Sequence, residues 1–328
     1  MAASLAPAPP EAAPAPPPSR PRGPLGEKLR TYLELVRFSH TIFALPFAVM
    51  ATLIAVRRGG DAGWSLAAPL TLVRPLAGIL VCMVAARTAA MAFNRLVDRA
   101  IDAANPRTAG RHLPRGAVSA AEVLTLVVVS AVVFVAGTLL FLPNWLPLVL
   151  ALPVLAWLLG YSYAKRFTML AHVWLGVALG IAPVAAWIAL RGGAVLDHPA
   201  DLVPAVILGL AVTVWVAGFD IIYACQDATF DAGQGLQSIP ARLGVRGGLR
   251  LSAALHATTL LLLAALPWAV PELGWIYGVA VVAIAGLLAW EHALVRPDDL
   301  SRVNDAFFTA NAVIGLVLLA AIALDLWL

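Results

Sequence analysis

VPAVILGLAVTVWVAGFDIIYACQDATFD, residues 203–231, decides what kind of molecule this chain forms. It opens on an apolar run, and the span it begins, about 203–225, is long enough to cross a hydrocarbon layer of roughly 30 Å. Asp220 follows Trp215–Val216–Ala217–Gly218–Phe219, which puts it at or below the headgroup level. A carboxylate at that depth costs a few kcal/mol even on the lenient insertion scale. Such a cost is carried for a reason, so the aspartates that close this span are the first candidates for function.

Composition extends the reading to the whole chain. Of 328 residues 61% are hydrophobic and only 12% charged, with a mean hydropathy of +0.88. A soluble domain is about half apolar and about a quarter charged. Hydropathy predicts an all-α polytopic membrane protein with nine spans, at about 38–56, 72–93, 119–141, 146–160, 169–190, 203–225, 250–269, 273–291 and 305–327. The fourth is short and contains proline. Residues 1–30 are Ala/Pro-rich without a continuous apolar core, which excludes a secretory signal and predicts a disordered tail before a membrane domain over 31–328. Cys82 and Cys225 fall inside predicted helices without C-x-x-C spacing and read as small apolar packing residues.

Basic residues are distributed unevenly among the connectors. With the amino terminus in the cytoplasm, 17 of the 22 Lys and Arg residues fall on the cytoplasmic side and 3, Arg57, Arg58 and Arg191, on the outer side. Arg74 and Arg87 lie within or at the edge of a span. This is a strong positive-inside signal and predicts an N-in, C-out arrangement in the cytoplasmic (inner) membrane. Because the basic residues alternate with spans, the net charge of +4 does not describe a nucleic-acid patch.

Two cytoplasmic connectors also hold the acids. The first reads Asn94–Arg95–x–x–Asp98–x–x–x–Asp102, followed by Asn105–Pro106–Arg107–Thr108–x–x–Arg111. If the second span continues as a helix, Asn94, Asp98 and Asp102 share one face at roughly 6 Å per step. The second holds Asp220, Tyr223, Asp227 and Asp231, with Asp220 and Asp227 two helical turns apart. Each connector continues to a Gly and a Pro, which suggests an internal duplication. Oxygen-only side chains at this spacing suit a hard cation such as Mg²⁺ that bridges to phosphate oxygens, and five gathered carboxylates repel one another without a cation. Arg107, Arg111, Lys165, Arg242 and Arg246 lie on the same side, as a diphosphate leaving group requires. Between the motifs, Tyr161–Ser162–Tyr163–Ala164–Lys165–Arg166–Phe167–Thr168 reads equally as an interfacial aromatic anchor with positive-inside residues.

In this order the three segments resemble the UbiA superfamily of intramembrane prenyltransferases, from about Tyr32 to the end of the chain. Gly235–Leu236–Gln237–Ser238–Ile239–Pro240–Ala241–Arg242–Leu243–Gly244 is similar to the branch that prenylates 4-hydroxybenzoate. Asn94–Arg95 stands where many members have Asn–Asp, and 37–43 replaces that branch's Asp-Lys-Pro; both variants resemble a subgroup tied to the futalosine route to menaquinone. The resemblance implies a UbiA-type helical bundle that moves a polyprenyl group from its diphosphate onto an aromatic acid, 4-hydroxybenzoate or a related quinone precursor. It implies Mg²⁺ held by Asn94, Asp98, Asp102, Asp220, Asp227 and Asp231, with Asp98, Asp102, Asp227 and Asp231 catalytic. Arg37, Asn94, Arg107, Arg111, Tyr161, Lys165, Arg166, Tyr223 and Arg242 would contact the substrates, Arg166 or Arg37 taking the acceptor's carboxylate.

The other classes to weigh are a relative with a haem or chlorophyll-type acceptor and a secondary transporter, which would place its acids near the bilayer midplane. His40 and His172 read as packing residues or as contacts to the acceptor, and Trp157, Trp174, Trp187 and Trp215 as interfacial or packing residues. Asp201, in an outer connector, is expected to leave the catalytic rate near wild type when replaced by Asn.

Overall fold

A computed structural model describes residues 25–36, 45–59, 70–303 and 311–328. Its helices are α1 (Leu25–Leu35), α2 (Leu45–Arg57), α3 (Leu70–Val97), α4 (Arg99–Ala104), α5 (Ala120–Gly137), α6 (Leu146–Ala164), α7 (Ala171–Asp197), α8 (Val203–Ala224), α9 (Ala228–Gly233), α10 (Ile239–Ala269), α11 (Trp275–Leu294) and α12 (Asn311–Trp327). Among the described residues there is no strand, only the isolated bridge Arg296–Asp299.

Seven of these helices are long and apolar enough to cross a membrane, and α2 and α12 are shorter apolar helices. The first and ninth predicted spans extend into 37–44 and 304–310, outside the described residues. The fourth span is longer than the sequence suggests, at 19 residues, because Pro147 sits in the first turn, where no helical N–H is lost, and Pro153 is carried inside the helix. The helix α1 begins at Leu25, inside the stretch read as tail; Met1–Pro24 lie outside the described residues.

The bundle is organised around α8, which packs along both α7 and α10. Contact with α7 is close because small residues meet. A Cβ on Gly176 would lie 2.1 Å from the Thr213 carbonyl oxygen, and one on Gly180 2.4 Å from the Gly209 carbonyl oxygen. Such small-residue crossings let backbones approach where no hydrophobic driving force separates helix from lipid. Phe47, Trp187, Leu190, Leu208, Trp215, Tyr277 and Ile284 join α2, α7, α8, α10, α11 and α12 in one core. A second group packs α3 against α5 and α6, and α1 lies across it through Leu35 and Val36.

Outside that core, Val128, Val132, Leu152, Leu261 and Val282 are exposed, an apolar surface that suits lipid and not water. Trp268 and Trp275, 88% and 77% exposed, flank the connector between α10 and α11 as an interfacial pair does. Local signals set the helix starts. Ser119 and Glu122 form a capping box on α5, and Ser238 caps α10 by accepting the Ala241 N–H. At the last turn of α11 and the start of α12, Asn311 donates to Glu291 (3.2 Å) and His292 meets His256 (2.9 Å), which ties α10, α11 and α12 together.

Candidate active site

Both aspartate motifs build the same local shape. The long helix α3 ends at Val97 and Asp98 leaves the helical region (φ −91°, ψ 7°) before the six-residue α4. The long helix α8 ends at Ala224, a 3₁₀ turn covers Cys225–Asp227, and Asp227 (φ −104°, ψ 4°) precedes the six-residue α9. Each short helix carries a second, buried aspartate, Asp102 at 5% and Asp231 at 3% exposure. Each segment then turns at a glycine with positive φ, Gly116 (75°) and Gly235 (67°), a conformation that glycine adopts without a Cβ penalty. The expectation of one continuous helical face through each motif is therefore corrected. Asn94 and Asp98 do share a face, with the Asn94 amide donating to Asp98 Oδ2 at 2.8 Å. Asp102, beyond the break, turns instead toward Arg111 (2.6 Å) and Arg95 (4.0 Å).

The motifs, more than a hundred residues apart in sequence, touch directly. Arg107, from the loop after α4, donates its Nε to Asp227 Oδ1 at 2.9 Å and its terminal nitrogens to Asp227 Oδ2 and to the Tyr223 hydroxyl. Its guanidinium also lies over the Tyr223 ring, 5.1 Å from the centroid. Asn105 adds an amide bond to Asp227 Oδ1 at 3.1 Å. The third segment closes the arrangement from α6. Arg166 donates to Asp98 Oδ1 (3.1 Å) and to the Val97 carbonyl (2.9 Å) while stacking on Tyr163. Lys165 Nζ stands 3.5 Å from Asp231 Oδ2, and its carbonyl accepts the Gln237 N–H at 2.6 Å. Tyr161 lies in the last turn of α6, four residues before Lys165. Arg242, in the first turn of α10, pairs with Gln237, through which it joins the site among the described residues. Arg37 and His40 lie outside the described residues.

Asp220 is held differently from the other acids. His172, fully buried at the start of α7, meets Asp220 Oδ2 through Nδ1 at 2.7 Å and accepts the Ile239 N–H on Nε2 at 3.3 Å. A histidine partner in the acid cluster was not read from the sequence. Nor were roles for Asn105 and Arg95, although both sit inside the quoted motif. Spacing gives no signal for these contacts, since all except Arg95 act across helices.

Electrostatics follow from the packing. Burial, reinforced by Asp102, raises the Asp98 pKa above its ordinary value against the pull of Arg166 and Asn94. Burial lowers the Arg107 pKa, but the bonds to Asp227 outweigh it and the net shift is upward.

The six ligands that the sequence offers a divalent cation do not converge: among the described residues no three His, Cys, Asp or Glu side chains form a metal-sized cluster. Each carboxylate is compensated by a nearby cation or histidine instead, which satisfies the same need for positive charge. Yet the set is almost purely oxygen, as Mg²⁺ prefers. Moreover, Asp102 Oδ2 and Asp231 Oδ2, one from each motif, are buried and accept no hydrogen bond from the described residues. Buried carboxylate oxygens are seldom left so. The residues fit a hard cation by chemistry and by these two under-coordinated oxygens.

Residues 44–313 match the UbiA prenyltransferase family. Among curated relatives, the 4-hydroxybenzoate octaprenyltransferase of Paracidovorax citrulli is 32% identical over 305 residues, 92% of this chain and 95% of its own length. That of Vibrio cholerae is 31% identical over 306 residues, covering 92% and 99%. Among solved structures, the apo structure of a UbiA homolog from Aeropyrum pernix K1 superposes with a TM-score of 0.74 at 34% identity, covering 88% of this chain and 98% of that one. The fold is shared with a UbiA homolog from Archaeoglobus fulgidus bound to DMAPP and Mg²⁺, with a TM-score of 0.65 at 18% identity and 90% and 99% coverage.

Proposed function

The chain belongs to the UbiA prenyltransferase family, and from that premise we propose that it transfers a polyprenyl group from polyprenyl diphosphate to an aromatic acid, 4-hydroxybenzoate or a related quinone precursor. The observation that carries the reading is the bridge from Asn105 and Arg107 to Asp227, which joins two like aspartate motifs into one charged mouth at the ends of apolar helices. A transporter's acids would lie near the bilayer midplane; here Asp98 and Asp227 stand beyond the ends of the long apolar helices α3 and α8.

In the reaction the allylic C–O bond breaks, its electron pair leaves with diphosphate, and a ring carbon beside the phenol attacks the allylic cation before losing its proton. Asn94, Asp98, Asp102, Asp220, Asp227 and Asp231 are the residues that would hold Mg²⁺, which supplies positive charge to the departing diphosphate. Arg107, Arg111 and Lys165 add fixed positive charge on the same side, electrostatic stabilisation that needs no reorganisation as the bond breaks. Arg166, or Arg37, orients the acceptor through a forked bond to its carboxylate. The surrounding helices keep water from the cation.

In this reading 31–328 form one transmembrane domain of nine helices, N-in and C-out, in the cytoplasmic membrane with the mouth facing the cytoplasm, and 1–30 form a tail. The basic-residue asymmetry supports it. Purified protein given polyprenyl diphosphate and 4-hydroxybenzoate should release diphosphate and yield a prenylated acid, read by mass spectrometry. Failure to prenylate any phenolic acid, with folded protein and Mg²⁺ present, sinks the proposal.

A further inference from the structure

Asp220, near the end of α8, is the one acid of the site paired with a histidine, and the tautomer of that histidine follows from its second partner. The Ile239 backbone N–H can only donate, so His172 Nε2 must present its lone pair to it. A neutral imidazole then carries its proton on Nδ1, directed at Asp220 Oδ2 2.7 Å away. Neither anchor is loose. Ile239 is the first residue of α10, fixed by the Ser238 cap, and His172 itself has no exposed surface. Asp220 retains 18% side-chain exposure, and its carboxylate accepts no other hydrogen bond from the described residues.

We infer that His172 is a positioning residue: its Nδ1–H holds one oxygen of Asp220 so that the other is presented to the divalent cation and diphosphate. This rests on the proposed metal role of Asp220. It assigns His172 away from the acceptor, since both ring nitrogens are spent on protein groups. The same ring also couples the Asp220 carboxylate to the start of α10, and so to the Gly235–Ser238 turn that follows the second motif. A carboxylate left to rotate would bind the cation less well by the margin usual for lost outer-shell partners, about 10–100-fold.

The test uses full-length protein in detergent micelles, with Mn²⁺ binding in the presence of inorganic diphosphate followed by electron paramagnetic resonance, and melting recorded without metal. Asp220→Asn should weaken Mn²⁺ binding. His172→Leu, which fills the volume and drops both bonds, should weaken it about 10–100-fold, and His172→Gln, with one amide donor and one acceptor, should restore it. Normal binding by His172→Leu alongside weakened binding by Asp220→Asn overturns the inference while leaving the metal reading intact. Normal binding by Asp220→Asn overturns the metal role of Asp220 and the inference with it. If His172→Leu does not fold, ¹⁵N NMR of histidine-labelled wild type decides: the expected signal is the Nδ1–H tautomer, shifting when Mg²⁺ is added with diphosphate. An Nε2–H tautomer, or a signal indifferent to Mg²⁺ and diphosphate, overturns it.

Discussion

The helices α7 and α8 run antiparallel, and an acid–base network occupies each end of the pair. At one end Asp201 accepts two bonds from Arg191, at 2.9 and 2.8 Å, and a third from the Trp187 indole at 2.9 Å. Arg191 also donates to the Gly59 carbonyl, and both Arg58 and Arg191 lie over the Trp187 ring. Both carboxylate oxygens of Asp201 are used. At the other end Asp102 and Asp231 each keep one buried oxygen that accepts no hydrogen bond from the described residues, with a cation at 4.0 or 3.5 Å. The first network is built to stay as it is. The second carries unspent acceptor capacity, which an enzyme needs where charge must be bound and released.

The largest effect expected from this contrast is metal dependence. Chelation with EDTA should abolish turnover and Mg²⁺ restore it, while melting, which reports on the saturated end, changes far less; full turnover in chelator would break the comparison. Next, Asp98→Asn and Asp227→Asn should each lower kcat at least about 10²-fold, the scale of removing one electrostatic element. Equal activity for either variant and wild type, at matched amounts of folded protein, removes that motif from the site.

A smaller effect sharpens the role of Arg166. Lysine keeps the charge but loses the fork, so Arg166→Lys should weaken apparent affinity for the aromatic acid more than for the prenyl donor, read as the two KM values. Because Arg166 also binds Asp98, a rise in the Mg²⁺ requirement with an unchanged acceptor KM would assign it to the aspartate instead.

For Asp201→Asn, expected to stay near wild type in activity, the structure adds a cost in stability. Arg191 and Asp201 are both largely buried, so losing the charge should cost about 2 kcal/mol of stability, read as a lower melting midpoint, with kcat per folded molecule unchanged. A loss of kcat there would mean the two ends are coupled. Finally, cysteine labelling should separate the ends without changing activity. Thr108, expected from sequence to report on the inner side, is buried; Gly110→Cys and Gly233→Cys, both exposed and with open space at the Cβ position, are the better probes. They should react only from the cytoplasmic face, and Ala200→Cys, exposed beside Asp201, only from the other.

Much of this was legible in the chain as written. Apolar runs long enough to cross a bilayer are local features of the chain, so reading them requires no knowledge of the fold. The aspartate motifs were equally plain, since an acid beside a span is costly wherever the span packs. The helix phase beyond Val97 and Ala224 was not legible. Asp98 and Asp227 leave helical geometry, and i, i+4 spacing cannot report such a break. Asp102 consequently faces Arg111 and not Asp98.

By itself the sequence determined a membrane bundle with two acidic motifs facing a basic mouth, because hydropathy and charge distribution are sums over local composition. Only the tertiary structure decided which group compensates which acid. Arg107 reaches Asp227 and His172 reaches Asp220 across 120 and 48 residues. Asp201, which looked dispensable in a connector, proved to be the saturated anchor of the opposite end. Partner choice among buried charges depends on which side chains the packed helices bring within hydrogen-bond distance. In a low-dielectric interior, a difference of one or two ångströms separates a satisfied ion pair from an oxygen left open for substrate or metal.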